Sequence, residues 1–335
     1  LLLRTHLSGS KKVTNVLEAV AVGDGRLGMR ATLIHAWSSL LSIGTGASIG
    51  REGAITQLTA TFASKWGQFH RWQPYRLRLM VACGAAAGLA AAYNAPIAGA
   101  LFAALVLVGN FSMNLFAPLV MASVVATMVS RFWFGIEPWY VLPESIDFGQ
   151  AARFSQMGWF LILGTLSGVG GAFFLKSIQE VESATEKSAW PSWVKLGLAG
   201  LAVGLIALVF PGVWGNGYEI TNQILKAESP ETGFLVLVQG SVLETLDAWK
   251  IPLVVLAGLL VAKFVATVVT VGAGTVGGVF TPTLFLGAGL GAAFSQALGL
   301  LGFAEETPMV AFALVGMGSV LAATTRSPLL AMILI

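Results

Sequence analysis

Between Leu79 and Ser130 the chain carries no Asp, Glu, Lys or Arg. About 20 apolar residues cross a bilayer as a helix, so this run alone predicts at least two crossings. Residues 154–175, 196–218, 264–304 and 307–325 are likewise free of charge. The whole chain agrees: 56% of its 335 residues are hydrophobic and only 10% are charged, with mean hydropathy +0.80. Soluble domains carry roughly 25% charged residues. The expectation is an all-α polytopic membrane protein of roughly ten hydrophobic helices, some too short or too broken by glycine to span. A net charge of +3 with no basic run gives no reason to expect a nucleic-acid partner. The single cysteine, Cys83, excludes an intrachain disulfide. The chain opens on Leu1-Leu2-Leu3-Arg4 without Met and stops inside the apolar run 329–335, which predicts further segments beyond both ends.

Within this apolar background two short stretches copy each other. One runs Gly44-Thr45-Gly46-Ala47-Ser48-Ile49-Gly50-Arg51-Glu52-Gly53-Ala54, the other Gly272-Ala273-Gly274-Thr275-Val276-Gly277-Gly278-Val279-Phe280-Thr281-Pro282. An offset of 228 matches Gly44, Gly46 and Gly50 to Gly272, Gly274 and Gly278. Each is followed by an apolar segment of helical character. A glycine-rich turn opening a helix aims unpaired N–H groups and the positive end of the helix dipole at one spot, which suits an anion. Two such helix starts in corresponding halves of a hydrophobic chain point to a transport site near the bilayer midplane.

The duplication extends further. Gly84–Pro96 and Gly316–Pro328 share Leu-Ala-Ala and the closing proline at an offset of 232. The drift of four residues between the two matches argues for two related halves, 1–150 and 151–335, around a shared site. Along the chain we expect a helix Ala31–Thr45 entering the first glycine turn and Arg51–Phe69 leaving it. His70–Arg78 reads as a basic interfacial loop. Met80–Tyr93 and Ile97–Val108 are read as helices broken at Asn94-Ala95-Pro96, and Leu115–Phe134 follows. Gly135–Gln156 is more polar and reads as a connection outside the bilayer. Trp159–Leu175 then precedes an interfacial segment of alternating charge, Lys176–Lys187. Trp193–Phe210, Ile251–Val271, Thr283–Leu301, Met309–Thr324 and a helix from Pro328 complete the series.

Glu52 is the most telling side chain, a carboxylate at a helix start inside an apolar region. A stabilised helix N-terminus would account for it by itself. The functional alternative is a carboxylate that occupies an anion site and leaves when an anion arrives or when it takes up a proton. His35 and Lys263 each stand fifteen residues ahead of the third matched glycine of their turn, Gly50 and Gly278. A lysine inside a membrane usually marks a pathway or a partner. Both residues are read as sources of positive potential near an anion path, with His35 charged part of the time. Gly272-Ala273-Gly274-Thr275-Val276-Gly277 imitates a dinucleotide fingerprint, but the next acid is Glu305 and the stretch between is apolar, so that reading is rejected. Three scattered histidines and one cysteine predict no metal site, and no nucleophile–base arrangement suggests an enzyme.

These residues resemble a known family. Gly50-Arg51-Glu52-Gly53-Ala54 is similar to the Gly-Arg-Glu-Gly-Pro signature of the CLC chloride channel and chloride/proton exchanger family, in the bacterial form with Ala in last place. Gly278-Val279-Phe280-Thr281-Pro282 resembles its Gly-x-Phe-x-Pro signature. Gly84–Pro96, Val213–Tyr218 and Leu321–Pro328 look like the same family. The resemblance implies a CLC fold of two inverted halves, a homodimer with one pore per subunit, and no cofactor. It implies Glu52 as the gating glutamate and an anion site formed by Gly50, Arg51, Gly53, Gly278, Val279 and Phe280. The family's Gly-Ser-Gly-Ile-Pro falls on Gly9-Ser10-Lys11-Lys12-Val13, where only Gly-Ser matches and Ser10 is the implied chloride ligand. The family's central tyrosine would lie beyond Ile335. The place of the exchangers' internal proton-relay glutamate is Leu105-Val106 here. The expected function is therefore chloride transport of the voltage-gated channel type in a bacterial cytoplasmic membrane. A chloride/proton antiporter and a transporter of an anionic metabolite stand as alternatives.

Overall fold

The computed structural model describes residues 15–136, 139–140, 142, 156–226, 252–303 and 309–335. Among them the chain is helical, with no strand beyond one isolated backbone bridge. Helices α1 (Val16–Ala21), α2 (Met29–Gly44), α3 (Glu52–Phe69), α4 (Pro74–Tyr93), α5 (Pro96–Leu101) and α6 (Met113–Phe134) form the first part. Helices α7 (Met157–Lys187), α8 (Ser192–Val209), α9 (Tyr218–Lys226), α10 (Pro252–Gly272), α11 (Phe280–Leu298), α12 (Met309–Thr325) and α13 (Pro328–Leu334) form the second. Five helical segments are long and apolar enough to cross a membrane: α6, α7, α8, α10, and α11 extended to Phe303. Large apolar side chains stand exposed along α6, α7 and α8, among them Met128, Leu161, Phe173, Leu201 and Leu208, as lipid-facing helices require. The expected boundary between halves near residue 150 lies outside the described residues, as do Gly9 and Ser10.

The sequence repeat is a repeat of hydrogen bonds. Thr45 N–H donates to Leu41 O, Gly46 N–H to Ile43 O and Ala47 N–H to Ser42 O. At the same offset Ala273 donates to Val269, Gly274 to Val271 and Thr275 to Thr270. Gly46 and Gly274 both take positive φ, 96° and 87°, a conformation that glycine adopts without strain. The second breaks match as well: Asn94 (φ 58°) and Arg326 (φ 54°) are both left-handed, and Pro96 and Pro328 each open the following helix. Helix pairs α3–α4 and α11–α12 pack tightly at equivalent glycines. A Cβ on Gly84 would lie 2.7 Å from Thr59 O, and one on Gly316 would collide with the backbone of Gly287.

Two boundaries differ from expectation. α4 begins at Pro74, so half of the basic loop is the first turn of a helix, with proline at N1 where its missing N–H is harmless. α7 runs 31 residues through the charged stretch instead of stopping near Leu175. At about 1.5 Å per residue it is roughly 46 Å long, well beyond a hydrocarbon core of about 30 Å. Lys, Glu and Gln lose little rotamer freedom in a helix, and Lys176 stands 3.8 Å from Glu180 one turn on, so nothing stops the helix at the lipid boundary.

Candidate functional site: a buried carboxylate where two glycine turns meet

The two glycine turns meet backbone to backbone. Gly50 N–H donates to Gly278 O at 2.6 Å, and Gly278 N–H donates to Gly50 O at 2.8 Å. The two bonds have the reciprocal pattern of a hydrogen-bonded antiparallel pair. The N–H group of each glycine is thus engaged by the carbonyl of the other, and the space beside both Cα atoms is taken by the Glu52 carboxylate. α3 and α11 begin just beyond the bridge, at Glu52 and Phe280. Their first-turn N–H groups precede any intrahelical acceptor and face outward from the helix ends. Ser48 and Thr267 join their hydroxyls at 3.0 Å, a second polar tie between the parts.

Glu52 is the first residue of α3 and is 3% exposed. Its Oε1 accepts from Tyr218 O–H at 3.2 Å and from Thr281 O–H. Tyr93 and Thr281 hydroxyls lie 3.2 Å apart. Oε2 is buried with no hydrogen-bond partner, beside Gly50 and Gly278, and a Cβ on Gly50 would overlap it. The carboxylate is therefore held by one oxygen and left unsatisfied at the other, an expensive state for a buried acceptor.

Arg51 turns away from that carboxylate. Its guanidinium lies 4.0 Å from the centroid of the Trp139 ring and 5.4 Å from that of Tyr218, and its Nε is buried without a partner. A cation over aromatic faces keeps positive potential near the site without neutralising Glu52. Tyr140 packs on Tyr218 with ring centroids 5.4 Å apart. Phe280 packs on Tyr93 and joins Leu105, Val106, Leu101 and Leu330 in an apolar cluster.

His35 and Lys263, read from equal spacing as an equivalent pair, are placed differently. Lys263 is fully buried on α10 and donates to Val213 O (3.0 Å) and Gly215 O (2.9 Å), with Phe285 beside it. It holds the turn that delivers Tyr218. His35 is half-buried on α2. Gly50, Glu52, Gly53 and Gly278 do converge: Gly53 lies against Gly277 and Gly278.

Sequence reasoning passed over Tyr93, Tyr218, Thr281 and Trp139. A signal existed for the tyrosines. Of four in the chain, Tyr93 stands immediately before the Asn94-Ala95-Pro96 break, and Tyr218 immediately after Gly215-Asn216-Gly217. A tyrosine in an apolar setting needs a partner for its hydroxyl, and a helix break is where one is found.

Comparison with known proteins places this geometry. Residues 2–335 match the family model described as voltage gated chloride channel. A putative chloride channel protein ClcB-like from Ralstonia nicotianae is 39% identical over 334 residues, 97% of this chain and 71% of the relative. The voltage-gated ClC-type chloride channel ClcB of Escherichia coli is 35% identical, over 96% of this chain and 71% of its own length. Among solved structures, a slow cyanobacterial Cl-/H+ antiporter aligns with TM-score 0.77 at 23% identity, covering 99% of this chain and 73% of that one. A CLC-type fluoride/proton antiporter aligns with TM-score 0.70, also at 23% identity, over 94% and 72%. At these identities the two structures share the fold with this chain.

Proposed function

The chain belongs to the voltage-gated chloride channel family, and from that premise we propose that it carries chloride through a path gated by the Glu52 carboxylate. The observation that carries this reading is a buried carboxylate at the junction of two glycine turns, one oxygen held by hydroxyls and the other unpaired. Carboxylate and halide are satisfied by the same donors, so an arriving anion competes with Glu52 for its place. A proton on the carboxyl has the same effect, because a neutral acid loses its claim on an anion's cradle. In this scheme Val279, Phe280 and Gly53 offer main-chain donors, while Gly50 and Gly278 keep the space clear. Arg51 supplies standing positive potential beside it. Lys263 acts on the path through the turn at Val213–Gly215, and His35 acts by its charge alone. Ser10 as a ligand lies outside the described residues.

We assign chloride movement to passive conduction, because the position of an internal proton relay is the apolar pair Leu105-Val106, packed against Leu330 and Phe280. Chloride/proton exchange is the rival, and the hydroxyl-bonded carboxylate that can take up a proton speaks for it. We further assign the protein to a homodimer in a bacterial cytoplasmic membrane, in keeping with its bacterial relatives, and give it no catalytic step.

The test is purified full-length protein in chloride-loaded liposomes, with chloride efflux and proton movement followed together. Chloride efflux without linked proton movement is expected. A fixed proton-to-chloride ratio would make the protein an exchanger, and Glu52→Gln would then abolish proton movement while leaving chloride flux. Competition by carboxylates instead of small halides and nitrate would reopen the anionic-metabolite reading.

A further inference from the structure

Two hydroxyls, from α9 and α11 in the other half of the chain, meet on one oxygen of Glu52, and a third, from α4, backs one of them. A hydroxyl has one hydrogen to give. Thr281 gives its hydrogen to Glu52 Oε1. Its oxygen must then accept from Tyr93, 3.2 Å away. Tyr218 gives its own hydrogen to the same Oε1 at 3.2 Å. The chain of donation is thus directed: Tyr93 to Thr281 to Glu52, with Tyr218 donating to the same carboxylate oxygen directly. Tyr93, Thr281, Tyr218 and Glu52 are all buried, at 8%, 0%, 8% and 3% exposure. Donors lined up head to tail out of water polarise one another and strengthen the last bond.

Resting on the gating role of Glu52, we propose that Thr281 and Tyr218 are positioning residues that latch the carboxylate in the path, with Tyr93 setting the strength of the latch through Thr281. The orphaned Oε2 explains why such a latch is useful. A carboxylate satisfied at both oxygens would stay in place, and one held at neither would leave. Holding one oxygen sets the closed state near balance, so that the hydroxyls decide how much chloride opens the path. Thr281 also differs from its counterpart at the offset of 228, Gly53, which has no side chain to offer.

A latch acts only through Glu52, whereas a hydroxyl that serves as an anion ligand acts without it. Chloride efflux from liposomes, measured across internal chloride concentrations, separates the two. Thr281→Val, Thr281→Ser, Tyr218→Phe and Tyr93→Phe are each made with Glu52 present and with Glu52→Ala. With Glu52 present, Thr281→Val and Tyr218→Phe lower the half-activating chloride concentration about tenfold or more, the equivalent of one hydrogen bond to a charged group. Tyr93→Phe lowers it by a smaller factor, and Thr281→Ser restores the parent value. With Glu52→Ala all four give the same curve. Unshifted curves with Glu52 present, or shifts of equal size without it, overturn the latch. Should Thr281→Val fail to fold, Tyr218→Phe and Tyr93→Phe each remove a single oxygen and decide the matter. If Glu52→Ala alone leaves low-chloride flux unchanged, the gating role itself fails, which is a different result from a failed latch.

Discussion

The first and second glycine turns share a backbone and divide the chemistry. Through Thr45–Ala47 and Ala273–Thr275 the same three hydrogen bonds are made at the same offset, and Gly46 and Gly274 take the same left-handed conformation. Beyond the Gly50–Gly278 bridge the parallel ends. One turn continues Arg51-Glu52-Gly53 and the other Val279-Phe280-Thr281. The first contributes a buried carboxylate, Glu52. The second contributes an apolar wall and one fixed hydroxyl that the charge binds. The Gly50–Gly278 bridge is made by backbone groups alone, and duplication kept what the main chain does. It left free what the side chains do, and a site with distinct roles on its two sides arose from a symmetric frame.

The widest expected separation between equivalent positions is at Lys263 and His35. Lys263→Met leaves two buried carbonyls, of Val213 and Gly215, without their charged donor, and each such bond is worth roughly 1.5–3 kcal/mol. Thermal unfolding in detergent should show a loss of about 3 kcal/mol or more for Lys263→Met, against about 0.5 kcal/mol or less for His35→Gln on a half-buried helix face. Equal losses would show that His35 carries as much of the fold as Lys263 does.

A narrower separation is expected within the bridge. Gly50→Ala sets a methyl group where Glu52 Oε2 lies, and the flexible side chain is what yields. The displaced carboxylate should raise chloride flux at low chloride about tenfold, equivalent to about 1.4 kcal/mol, with little change in melting temperature. Gly278→Ala meets the same oxygen only at 3.2 Å and the backbone N of Gly53 at the same distance, so its flux rises less. The reverse order would show that the carboxylate rests elsewhere in the working protein.

The smallest effect belongs to the second pair of breaks. Arg326→Gly relieves a left-handed arginine and should stabilise by about 1 kcal/mol. Asn94→Gly gains less. It removes the amide that donates to Ile136 O at 2.9 Å and accepts from Arg131. Comparing the two melting curves measures how far α6 fixes the first break more firmly than the second is fixed.

Much of this was legible beforehand because membranes write their demands locally. Charge-free runs announced the helices, the repeated glycines announced the turns, and Glu52 stood out as a carboxylate where none is cheap. The end of α7 was not legible, because loss of hydropathy marks the lipid boundary and not the end of a helix built from Lys, Glu and Gln. The partners of Lys263 were not legible for a related reason. Equal spacing from a glycine fixes a position on a helix, while the acceptor a lysine finds depends on a turn about 50 residues away in sequence. The breaks beside Tyr93 and Tyr218 marked those residues, but that Tyr218 and Thr281 share one oxygen of Glu52, with Tyr93 behind Thr281, arises only when separate helices pack together.

The bridge between Gly50 and Gly278 has a consequence for heredity. Both donors and both acceptors belong to the main chain, so no codon change deletes an acceptor and only one to proline deletes a donor. Damaging alleles at these two positions must act through the side chain they add, and their severity should climb with its volume. A saturation screen would then rank alanine and serine together as mild, and leucine and glutamine together as severe. The signature of a joint made without side chains is an allelic series graded by size.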